Sequence, residues 1–225
     1  MIVGVGASRG LGAAVARRFA SEGFHVVVAG RTAEKLERVV TEICTTGGSA
    51  QAIIGDGSNE SDAARFVASA EEHGPLELVL HNAGSNRGDA FLYLETSDFK
   101  ALWREHCLGG FLTGRESARR MVPRGRGTIL FTGASGSLRG RALFAAFAVA
   151  KAGLRATAQS MARELGPKGI HVVHVVIDGG IEGGSFTISV SWTSKRKGAR
   201  WSALHRCNDG NLLAASSSAP QRLDP

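Results

Sequence analysis

The chain has 225 residues, 43% hydrophobic and 21% charged, enough to bury the core of one α/β domain. No apolar run approaches the roughly 18–20 residues that span a bilayer, no secretory signal stands at the start, and Cys44, Cys107 and Cys207 are too few and too scattered for a disulfide framework or a metal site, so a cytoplasmic protein without metal or membrane association is expected. The net charge of +7 does not mark a nucleic-acid binder: residues 185–225 hold six basic side chains against Asp209 and Asp224, four of the seven excess charges, and no basic helix is interleaved with aromatics.

The first predicted strand, Ile2–Val5, leads into Gly6-Ala7-Ser8-Arg9-Gly10-Leu11-Gly12, and a helical pattern over Leu11–Glu22 leads out. Strand, glycine turn and helix form the arrangement that binds a dinucleotide pyrophosphate. Glycines let backbone approach phosphate oxygens that a Cβ would push away. The free N–H groups and positive dipole end of the helix then meet the anion. The spacing is G-x-x-x-G-x-G.

The second strand, His25–Ala29, ends in Ala29-Gly30-Arg31-Thr32, where an acid that bonds a ribose 2′-hydroxyl is missing. Arg31, joined by Arg9, would pair instead with a 2′-phosphate through forked bonds, so NADP(H) is expected over NAD(H). Two solvated surface arginines are the alternative. A helix over Ala33–Thr46 and a strand over Ala50–Gly55 follow. Asp56 would then accept from an adenine amino group, or serve as an acid near the start of a helix over Glu60–His73 that Ser58 would cap. The strand Leu76–His81 runs into Asn82-Ala83-Gly84, whose small pair lets backbone pass close to a ribose while Asn82 holds the loop.

A helix over Ser97–Met121, a strand over Gly127–Gly133, a helix over Phe144–Leu165 and a strand over Ile170–Ile177 complete the alternation. Strands apolar on both faces and repeated βα units predict a doubly wound parallel α/β sheet of six strands, in the order 3-2-1-4-5-6. The pattern stops near Gly184. Residues 1–184 are expected to form the domain, with 185–225 a poorly ordered tail that supplies no seventh strand. A frameshift near Gly184 would account for the change of character.

The glycine turn, Asp56, Asn82-Ala83-Gly84, the strand through Phe131 and Lys151 inside a long helix resemble, in order and distance, the short-chain dehydrogenase/reductase family over about residues 1–184. The resemblance implies hydride transfer between a nicotinamide and a carbonyl or alcohol carbon. It also implies a Tyr-x-x-x-Lys pair, a Ser thirteen positions before the Tyr, and an Asn on the preceding long helix. In this chain Lys151 matches the Lys, Phe147 stands at the Tyr position, Ala134 at the Ser position with Ser135 and Ser137 nearby, and His106 at the Asn position.

By the same resemblance, Gly6, Ser8, Arg9, Gly10, Leu11, Gly12 and Arg31 would hold the phosphates and Asp56 the adenine. Asn82, Ala83, Gly84 and Lys151 would hold the nicotinamide half, with Gly179 where the family carries Pro-Gly. Lys151, Phe147, His106 and Ser135 form the candidate catalytic set. Two readings stand. One is an NADP(H)-dependent oxidoreductase acting on a small-molecule carbonyl or alcohol, with His106, ordinarily titrating near neutral pH, as substitute proton donor. The other is a catalytically impaired NADP(H)-binding or scaffold protein. The two long helices imply a homodimer or homotetramer. His171 and His174 are expected to be structural.

Overall fold

Alternate residues of each strand enter opposite cores, as a parallel sheet buried on both faces requires. The structure, a computed structural model, describes residues 1–178 and the backbone of a strand at 187–189. Its elements are β1 (Ile2–Val3), α1 (Leu11–Ser21), β2 (His25–Gly30), α2 (Ala33–Thr45), β3 (Ser49–Ile54), α3 (Glu60–Glu71), β4 (Leu78–His81), α4 (Thr96–Trp103), α5 (Gly109–Met121), β5 (Gly127–Ala134), α6 (Ala145–Leu165), β6 (Ile170–Asp178) and β7 (Thr187–Ser189).

Val26 and Val28 of β2 join Ala13, Ala16, Leu36 and Ile43 beneath α1 and α2. Val27 and Ala29 join Phe66, Met121, Phe131 and Leu154 beneath α3, α5 and α6 on the other face. Each such buried aliphatic or aromatic side chain contributes roughly 1.5–3 kcal/mol relative to exposure. The sheet order is β3-β2-β1-β4-β5-β6-β7, with β1 to β6 parallel as expected. The direction of winding reverses between β1 and β4, the switch point outside whose strand carboxyl ends such sheets hold their ligand crevice. No helix among the described residues is long and apolar enough to cross a membrane.

Four expectations are corrected. A seventh strand exists: β7 pairs antiparallel with β6, Ile188 opposite Ile177. The alternation Thr187-Ile188-Ser189-Val190 carries the period-2 signal that the loss of helical pattern concealed. The expectations for Gly179, for the remaining tail and for a shifted frame lie outside the described residues. The helix over Ser97–Met121 is not uniform, because a π-helical turn at Arg104–Leu108 separates α4 from α5. Such single turns commonly mark functional places in helices. The cap of α3 is Asn59, whose Oδ1 accepts from the Ser61 and Asp62 N–H groups. Ser58 instead donates, through both N–H and hydroxyl, to Asp56 Oδ1. Strand β1 ends at Val3, and Gly4 and Val5 already turn toward the Ala29 carbonyl.

Candidate active site

The turn after β1 is built for close approach. Gly4, at φ +90°, packs so near the β4 loop that a Cβ would stand 2.2 Å from Ala83 N. The sequence reading missed it, since the motif was counted from Gly6. Gly10 caps α1 with no side-chain hydrogen bond, and no acidic residue enters the first turn of α1. A Cβ on Gly6 would meet nothing within 4 Å, so the space before the helix N-terminus is open. Gly6 therefore faces open space at the N-terminus of α1, Gly10 N–H is bonded to the Ala7 carbonyl, Gly12 packs against Gly4, Val5 and Asn82, and Arg9 is exposed beside them. This open space fits a pyrophosphate.

Ser8 is engaged within the protein. Its hydroxyl lies 2.7 and 2.6 Å from the two Glu42 carboxylate oxygens. Arg17 braces both, at 3.0 Å from Glu42 Oε2 and 2.9 Å from the Ser8 carbonyl. The Ser8 hydrogen bond, followed by the Arg17 charge, holds the Glu42 carboxyl below its ordinary value despite partial burial. Arg31 also has a partner: its guanidinium meets Glu105 at 3.1 Å. Asp56 lies at the carboxyl end of β3, half-buried, facing its own loop through Ser58.

Asn82 ties three strand ends together. Its Nδ2 donates to the Gly4 carbonyl at 3.1 Å, and its Oδ1 accepts from Thr132 at 3.0 Å. Thr132 in turn offers its carbonyl to Lys151 Nζ at 2.7 Å. Gly84, at φ +130°, is required by packing, because a Cβ there would fall 1.9 Å from the His106 ring.

Lys151, Phe147 and His106 are in contact with one another through the Phe147 ring. The Lys151 ammonium lies 5.8 Å from the Phe147 ring centroid, and the His106 and Phe147 rings stand edge to face at 5.4 Å. Lys151 is buried, with no salt bridge among the described residues, and desolvation brings it down to about 7. His106 is also buried, and its Nε2–H donates to the Ser85 carbonyl at 2.8 Å. Burial first, then the Lys151 charge, lowers it to about 4. The expectation of His106 as a neutral-pH proton donor is thereby corrected: its ring is neutral at pH 7. Its Nδ1 is buried without a hydrogen-bond partner and packs against Gly84.

Ser135 opens a 3-10 turn, half-exposed, with its carbonyl bonded by Leu138 and Arg139. The buried hydroxyl of this turn is that of Ser137, which accepts from Ala134 N at 3.0 Å and lies 3.4 Å from His174 Nε2. His174 is buried, and desolvation followed by the Lys151 charge lowers it to about 4. His81, beneath the site, shares a hydrogen bond with Thr113 and is lowered to about 3 by burial. Among the described residues no group of His, Cys, Asp or Glu side chains forms a metal site.

A parallel doubly wound sheet with a glycine turn at its switch point defines a Rossmann-type α/β protein. A family model described as short chain dehydrogenase matches residues 1–186. A short-chain dehydrogenase/reductase of Armillaria gallica is 32% identical over 171 residues, covering 74% of this chain and 66% of that protein. A 3-oxoacyl-[acyl-carrier-protein] reductase of Rattus norvegicus is 32% identical over 168 residues, covering 74% and 70%. The chain thus spans about two thirds of the length of these curated relatives. The crystal structure of a short-chain dehydrogenase from Rhodopseudomonas palustris matches with TM-score 0.76 and 47% identity, over 80% of this chain and 84% of that one. This chain belongs to the short-chain dehydrogenase/reductase family of oxidoreductases.

Proposed function

We propose that the chain binds NADP(H) and interconverts a small-molecule carbonyl and its alcohol, with Lys151 carrying the proton that the family's tyrosine supplies. The observation that carries this reading is the Lys151 ammonium, buried beside Phe147 at the carboxyl ends of the strands and held by one neutral carbonyl. A bound nicotinamide dinucleotide supplies the hydride. Gly6 leaves room for its phosphates, Gly10 and Gly12 let the turn and α1 pack closely beneath them, Arg9 and Arg31 favour a 2′-phosphate, and Asn82 fixes the loop beside the ribose. Lys151, at about 7, holds a proton at Nζ for the carbonyl oxygen near neutral pH and regains it from solvent.

The substrate class is a carbonyl compound, in keeping with the name of the rat relative, which reduces a 3-oxoacyl group. The same reading includes a reducing cytoplasmic setting and a homodimer or homotetramer through α5 and α6, where Phe111 and Val149 are exposed.

A second reading is favoured by one observation. Phe147 has no ionisable hydrogen and Ala134 has no hydroxyl, as expected of a binding protein without turnover. Tryptophan quenching by NADPH and turnover across a carbonyl panel, from about pH 5 to about pH 9, separate the two. Reduction that falls above pH 7 and disappears in Lys151→Met, but persists in His106→Ala, supports the first. Binding without turnover selects the second, and absence of NADPH binding overturns both.

A further inference from the structure

The carboxyl end of β2 and the π-helical turn are joined across the crevice by one ion pair. Arg31 NH1 lies 3.1 Å from Glu105 Oε1. The two partners are unequally placed: the Arg31 side chain is 63% exposed and that of Glu105 only 20%. Glu105 is also fastened from a third element. Its Oε2 accepts from Ser85 N at 3.1 Å and from Ser85 Oγ at 2.8 Å. The carboxylate therefore stays where the post-β4 loop holds it, while the guanidinium, on a long exposed stem, is free to swing.

We infer that Glu105 sets how strongly this crevice favours a 2′-phosphorylated dinucleotide, by competing with the phosphate for Arg31. The inference rests on the NADP(H) reading above. A 2′-phosphate needs the forked donors of Arg31, and those donors are partly committed to Glu105. To bind it, Arg31 must leave a fixed carboxylate, and the dianion must then lie near that same negative charge. A dinucleotide with a free 2′-hydroxyl meets neither obstacle. Glu105 is a repulsive element that narrows the preference which Arg9 and Arg31 create. The carboxylate belongs to the π-helical turn, next in sequence to His106, and nothing in the glycine motif signals it.

The test compares dissociation constants for NADPH and NADH by tryptophan quenching in the full chain. Glu105→Gln keeps the shape and an acceptor for Ser85 but removes the charge. It raises the NADPH preference over NADH by about fivefold, the scale of an exposed ion pair, and the gain shrinks as salt is added. Adding Arg31→Ala cancels the gain. Ser85→Ala, which keeps the Ser85 N–H bond to Glu105 and the charge itself, shifts the preference by much less. Glu105→Ala gives the same reading should the glutamine variant not fold. An unchanged preference in charge-neutral variants that still bind NADPH overturns this inference alone, as does an equal shift in Ser85→Ala. Failure of the native chain to bind either dinucleotide overturns the NADP(H) reading and this inference with it.

Discussion

The ring of His106 meets the ring of Phe147 edge-on, with centroids 5.4 Å apart. The family resemblance implies a phenol where Phe147 stands, and here the phenyl ring contacts both the His106 imidazole and the Lys151 ammonium, the latter 5.8 Å from its centroid. A hydroxyl added to this ring would stand near a buried cation.

Phe147→Tyr combined with Ala134→Ser is therefore expected to raise carbonyl reduction by about 10²-fold or more, at the lower end of what a positioned acid contributes. Initial rates with saturating NADPH measure it. Rates equal to the native chain would show that Lys151 already delivers the proton as well as a tyrosine would.

Lys151→Met should stabilise the fold at neutral and lower pH. The buried ammonium titrates at about 7 in the fold, against an ordinary 10.5. The unfolded chain thus binds the extra proton between these values, and native stability rises with pH through that window. Below pH 7 the full desolvation penalty applies, about 5 kcal/mol at most by linkage. Thermal melts of both proteins at pH 6.5 and about pH 10 should show the methionine advantage shrinking with alkalinity.

Acid acts in the same direction through the buried histidines. His106 and His174, lowered to about 4, and His81, lowered to about 3, remain neutral in the fold while an unfolded chain protonates them below 6.5. Stability is complete above 6.5 and falls as pH drops toward 4, by on the order of 3 kcal/mol for one such histidine at full displacement. Urea midpoints at pH 7 and about pH 5 check this, and His174→Asn should flatten part of the slope.

Two glycines in the crevice are expected to separate folding from binding. Gly84→Ala forces a Cβ into the His106 imidazole at a φ of +130° and should cost about 2–4 kcal/mol. Gly6→Ala meets open space, so its melting temperature should hold while NADPH binding weakens by about tenfold or more. Melting curves beside quenching titrations distinguish the two variants.

The glycine turn, the alternating elements and the Phe147–Lys151 spacing were legible in the sequence because each is carried by local spacing, whereas the approach of His106 to them was implied only by the family resemblance. The partners of Ser8 and Arg31 were not. Glu42 lies 34 residues from Ser8 and Glu105 lies 74 from Arg31, and no periodicity links them. Gly4 escaped notice because its requirement comes from Ala83 on another strand's loop. The neutral state of His106 depends on burial, which residue type alone does not disclose. Ser137 was passed over for Ser135, since the partner that distinguishes them, His174, sits on β6.

The π-helical turn places Glu105 and His106 side by side, one turned to Arg31 and the Ser85 loop, the other to Phe147. Removing one residue from this turn would rotate α4 against α5 by about 100°. On the proposed roles, discrimination between dinucleotides and the shape of the reacting end depend on a single stretch of backbone. An insertion or deletion at 104–108 would alter both together, so these two properties are expected to change in concert rather than separately when this segment varies.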